Sequence, residues 1–185
     1  MTPAGSVSVS VIVNTYNWPG ALKLSLQSLA SQTDRCFEVI IADDGSRQDT
    51  ADVIKLFTDS ASIPVRHVWH EDIGFRRSAI LNKAIGEACG PYLIFVDGDC
   101  ILQPDFVAQH RALAKPNYVI TGSRILLSQE FSKQLLAAGT WNYPSIPPEY
   151  PAAPVERRHF QDRRVFRAAA LADDVGLSFL RLPAH

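Results

Sequence analysis

The sequence predicts an α/β domain with a mostly parallel central sheet and helices on both of its faces. Three observations support this. Short apolar runs rich in β-branched residues recur, as in "VSVSVIV" (7–13), "FEVIIA" (37–42) and "YLIFV" (92–96); strands buried on both faces read this way. Segments with apolar residues at helical spacing lie between them, such as Leu22, Leu26 and Leu29. The two patterns alternate along the chain, which is the signature of βαβ units.

The elements follow in order. Strand 7–13 leads into a loop, "NTYNWPG" (14–20), in which Pro19 suits the first turn of a helix. That helix carries the Leu22, Leu26 and Leu29 stripe. Strand 37–42 ends in "DDGS" (43–46), a turn with acceptors and a glycine. A short helix over about 49–58 presents Val53, Leu56 and Phe57. "VRHVW" (65–69) is a third strand and "HEDIGF" (70–75) a loop. A helix over 76–89 carries Leu81, Ala84, Ile85 and Ala88, and Gly90 suits its C-terminal stop. Strand 92–96 is followed by a helix near 104–114, a strand at 118–123 and a helix near 128–138.

Composition sets the outer bounds. A chain of 185 residues suits one domain, or one domain plus a tail. Hydrophobic residues make up 46% and charged residues 20%, with a net charge of −1, so nothing draws the chain toward nucleic acid. No apolar run reaches the ~18 residues needed to cross a bilayer. The N-terminus lacks the basic n-region of a signal peptide. The three cysteines form no CxxC pair, which argues against a zinc site or disulfide framework and for a reducing, cytosolic setting. Residues 1–139 read as one domain. Residues 140–185 differ: 140–155 hold five of the twelve prolines, and 156–167 hold five of the 18 basic residues. The basic segment suits either a solvated helical face, the favoured reading, or a loop near a diphosphate or an anionic membrane surface.

In a parallel sheet, ligands bind beyond the carboxyl ends of the strands. Here each strand-end loop carries polar residues: Asn14 to Asn17, Asp43 and Asp44, His70 to Asp72, Asp97 and Asp99. In an extended segment Asp97 and Asp99 would point to one side, roughly 6.5–7 Å apart. Gly98 between them would let a bulky group approach. Carboxylate oxygens suit Mg²⁺ or Mn²⁺, and two of them suit an ion whose remaining ligands are waters and substrate phosphates. The chemistry indicated is therefore nucleotide-linked. Nicotinamide dehydrogenases and P-loop enzymes are excluded, since neither GxGxxG nor GxxxxGK[ST] is present.

The stretches "SVIVNTYNWPGALKLSLQSLASQ", "FEVIIADDGSRQDT" and "HEDIGFRRSAILNKAIGEACGPYLIFVDGDCILQPDF" together resemble the family 2 glycosyltransferases of the GT-A fold, over roughly residues 7–127. The resemblance implies a Rossmann-like three-layer fold and transfer of a sugar from a nucleotide-diphospho-sugar, a UDP-sugar in the first place. The acceptor would be a saccharide or lipid-linked hydroxyl, and the outcome inversion. It implies that Asn14 and Tyr16 hold the base, that Asp44 accepts from a base N–H and that Arg76 lies near the diphosphate. Asp97 would contact the ribose or the metal, and Asp99 would ligate the Mn²⁺ or Mg²⁺. It also implies a cytosolic protein, in loose contact with the inner membrane face at most.

Local alternatives stand beside these roles. Asn14 and Asn17 also suit shaping the turn and capping the helix. Asp43 reads as the structural member of its pair. Arg76 and Arg77 sit at a helix start, an unfavourable place for cations, which points to a functional reason for at least one of them. His70, Glu71 and Asp72 read as a solvated loop, and the three tryptophans as packing. Inverting members need a general base on the acceptor side. The acidic motif that carries it has no match here, although "VGLSF" (175–179) resembles the segment before it. The alternative to an active transferase is therefore a catalytically weak nucleotide-binding fragment or partner subunit.

Overall fold

The computed structural model describes residues 9–116, 118–141 and 178–181. Strand β1 (Val9–Thr15) is followed by α1 (Pro19–Ala30), β2 (Phe37–Asp43), α2 (Gln48–Ser60), β3 (Val65–Trp69), α3 (Arg77–Gly86), β4 (Tyr92–Asp97) and β5 (Cys100–Leu102). Then come α4 (Phe106–Leu113), β6 (Ser123–Leu126), α5 (Gln129–Ala138) and β7 (Ser178–Arg181). The first four strands form one parallel sheet in the order β3-β2-β1-β4.

Alternation along the strands builds the three layers. Val9, Val11 and Val13 of β1, with Phe37, Val39 and Ile41 of β2, pack on Leu22, Leu26 and Leu29 of α1 and Ile54 of α2. The intervening Ile12, Ile40 and Ala42 pack on Ile80 and Ala84 of α3. Both faces are dry, which is why these strands read as continuous apolar runs. Truncating a side chain such as Leu26, 1% exposed, would cost about 2–5 kcal/mol.

A second, three-stranded sheet, β5-β7-β6, begins where β4 ends. A smaller core of Ala21, Leu24, Ile101, Leu127 and Leu135 joins it to α1 and α5. The chain therefore does not run straight from β4 into β5. It turns at Gly98 and Asp99 and passes from one sheet to the other.

Three expectations need correction. The strand expected at 118–123 is instead Ser123–Leu126, because its partner β7 lies there. Helix α3 stops at Gly86, so Gly90 is not its terminator. A Cβ on Gly90 would lie 2.8 Å from the backbone of Ser10, so glycine is needed for close packing. Trp69 is 51% exposed and packs little, although its indole N–H donates to the Ser46 carbonyl. The basic segment 156–167 and most of 140–155 lie outside the described residues. Among the described residues no helix is long and apolar enough to cross a membrane.

Candidate functional site

Because the four strands are parallel, their carboxyl ends share one rim. The first loop is shaped by Asn17, whose φ of 45° lies in the left-handed region. Its backbone N–H donates to Ser46 Oγ, and its Oδ1 accepts from the Arg47 N–H. Asn17 thus ties the β1 loop to the β2 turn and does not cap α1, whose N-cap position is Trp18.

Asp43 is fully buried and structural. Its carboxylate accepts from the Ser46 N–H at 2.8 Å and pairs with His67 at 2.9 Å. Burial alone would raise its pKa, but the His67 and Ser46 hydrogen bonds outweigh that and hold it below the ordinary carboxylate value.

Asp44 is 4% exposed. One oxygen pairs with His70 Nε2 at 2.7 Å, and the other accepts from the Arg76 backbone N–H at 3.0 Å. Both oxygens therefore fasten the β3–α3 loop to the β2 turn. His70 is not part of a solvated loop: it is 6% exposed, and its Nδ1 has no hydrogen-bond partner among the described residues. The Tyr16 hydroxyl donates to Asp72 at 2.9 Å, adding a further tie to the same loop.

A cavity of about 190 Å³ opens on this rim. Its walls include Asn14, Tyr16, Phe75, Arg77, Asp97 and Asp99. Asn14 pairs in register with Asp97, and its side-chain oxygen is buried without a partner among the described residues. Tyr16 is half exposed and Phe75 is 90% exposed at the lip. Asn14, Tyr16, Asp97 and Asp99 are thus brought together, whereas Asp44 is not on the wall. Arg76 contributes its backbone to Asp44 and is absent from the wall. Arg77 lines the wall instead, with its guanidinium on the Asp97 carboxylate.

Asp97, Asp99 and Cys100 bring ligand atoms within 4.8 Å of one another. The turn at 98–99 achieves this by folding the two carboxylates toward each other. A Cβ on Gly98 would lie 2.9 Å from the Asn14 carbonyl oxygen, so glycine here serves the contact between β1 and β4, and it also lines the cavity. The two carboxylates fit a hard divalent ion. The soft, buried Cys100 thiol does not, and it contacts Asp99 at 3.5 Å. A longer groove of about 700 Å³ begins at the same Arg77 and Asp97 and runs beside β4 past Leu81, Phe95 and Ile120.

The sequence read His70 as part of a solvated loop and named Arg76 as the residue near the diphosphate; in the structure His70 is buried on Asp44, and Arg77 rather than Arg76 lines the cavity. No spacing signal marked His70, since its partner Asp44 is 26 residues away.

The model described as Glycosyl transferase family 2 matches residues 10–163. Validoxylamine A glucosyltransferase of Streptomyces hygroscopicus subsp. jinggangensis is 35% identical over 101 residues, which is 54% of this chain and 24% of that protein. Hyaluronan synthase of Pasteurella multocida is 33% identical over 121 residues, 64% of this chain and 12% of that protein. This chain thus spans a quarter or less of either relative. Among solved structures, S. aureus TarS superposes with a TM-score of 0.50 at 25% identity, over 64% of this chain and 22% of that one. The fold is that of the GT-A glycosyltransferases, and the chain belongs to glycosyl transferase family 2.

Proposed function

We propose that the rim cavity binds the nucleotide-diphosphate half of a sugar donor, with a UDP-sugar as the first choice, for transfer to a hydroxyl acceptor. The observation that carries this is the pair of carboxylates, Asp97 and Asp99, folded together on the wall that also holds Asn14, Tyr16 and Arg77. Asp97 and Asp99 would hold a divalent ion, Mn²⁺ or Mg²⁺, which neutralises charge on a departing diphosphate. Tyr16 offers an exposed ring for the base to stack on. The buried Asn14 oxygen offers an acceptor for a donor N–H or hydroxyl group. Arg77 offers a planar cation suited to phosphate oxygens. Asp44 acts at one remove: it holds His70 and the Arg76 amide and so fixes the loop that delivers Arg77, and it meets a base N–H only if that loop shifts.

Inversion at the sugar carbon and a saccharide or lipid-linked acceptor belong to the same proposal, and both rest on family membership. None of the residues on the cavity wall is assigned as the general base.

Calorimetric titration of UDP tests the reading. With Mn²⁺ present the protein should bind UDP. EDTA or Asp99→Ala should weaken binding by at least about tenfold, as expected for loss of a ligand to a charged group. Binding that is indifferent to both would sink the metal-assisted reading.

A further inference from the structure

We infer that Arg77 and the metal ion compete for Asp97, so that Arg77 compensates this carboxylate until the metal–donor complex enters and then moves to the diphosphate. The inference rests on the donor-site reading above. Arg77 is the first residue of α3, where the helix dipole disfavours a cation. Something must offset that cost, and its partner is Asp97 rather than an acidic residue of its own helix. The pair is not a loose surface contact, because the segment leading to Arg77 is held at three points. His70 pairs with Asp44 at 2.7 Å, the Arg76 amide donates to Asp44 at 3.0 Å, and Asp72 accepts from Tyr16 at 2.9 Å.

The Arg77 guanidinium is not fully used there. Its Nε is buried and has no hydrogen-bond partner among the described residues. Its side chain is 43% exposed and lines the cavity beside Asp97 and Asp99. A divalent ion on Asp97 and Asp99 would stand next to this guanidinium, and like charges at that range repel. Diphosphate oxygens brought in with the ion give the planar guanidinium a new bidentate acceptor. Asp97 then passes from one cation to the other without being left uncompensated.

The exchange predicts opposite signs for two ligands in one variant. In Arg77→Gln, Mn²⁺ alone, followed by paramagnetic resonance of the free ion, should bind roughly two- to fivefold more tightly, the range expected for removing one partly exposed ion pair. UDP at saturating Mn²⁺ should bind at least about tenfold more weakly. Arg77→Lys, which keeps the charge, should recover part of the UDP affinity. A variant that merely misfolds loses both ligands and cannot give this pattern. Mn²⁺ affinity that is unchanged, weaker or undetectable in Arg77→Gln overturns the inference, as does UDP affinity that is unchanged or tighter. If wild-type protein binds UDP in a Mn²⁺-dependent way while either of those results is found, the exchange falls and the donor site stands. Absence of UDP binding by the wild type removes the donor site and the exchange with it.

Discussion

At Gly45 the backbone has φ of +93°, and an added Cβ would lie 2.7 Å from the Asp72 Cα. Glycine is therefore required twice, for its conformation and for its contact. Gly45→Ala should destabilise the fold by about 1–3 kcal/mol in a urea titration and should also displace Asp72 from Tyr16. A change within about 0.5 kcal/mol, the usual range for an innocuous surface site, would show that the turn and loop are not docked this tightly. Asp43 gives a second prediction. Its folded pKa is lowered, so its stabilisation is present above the unfolded value of 3.8 and is lost as the pH falls through the lower folded value. Asp43→Asn should flatten the stability profile in that acidic window while lowering stability at pH 7. The sequence identified Asp43 as structural because turns need Asx acceptors. It named Arg76, whereas the side chain that reaches Asp97 is that of Arg77, one step further on.

Among the elements, α1, α2, α3 and the four parallel strands were legible because each is periodic and meets a complementary face. Strand β6 was not: "YVITGS" has strand composition, but strand position follows the partner, and β7 pairs at Ser123–Leu126. Helix α4 carries a testable feature. His110 is 5% exposed, its Nδ1 meets the Tyr92 hydroxyl at 3.0 Å, and its ring lies 4.6 Å from that of Phe106. Burial pushes its pKa down to about 4 from 6.5. The unfolded chain therefore takes up this proton first. The stability contribution is complete above pH 6.5 and is lost as the pH falls toward 4, by roughly 3 kcal/mol at most. Denaturant titrations between pH 7 and 4.5 should show this slope, and His110→Gln should remove it. An identical slope in the variant would place the titrating group elsewhere.

At the scale of the whole molecule, a parallel sheet brings the ends of β1, β2, β3 and β4 to one rim, so residues far apart in sequence meet there. This much followed from the alternation of strands and helices. The turn between the two sheets was not visible in advance, because the sequence marks a strand at 92–96 and none at Cys100–Leu102. Yet that turn folds Asp97 and Asp99 together and makes the site suit a metal. The most direct test is anomalous scattering at the manganese edge from crystals grown with UDP and Mn²⁺. One peak bridging the Asp97 and Asp99 carboxylates, with the diphosphate on the same ion, is the predicted result. A nucleotide bound on the rim with no peak between those carboxylates, or a peak elsewhere, would contradict it.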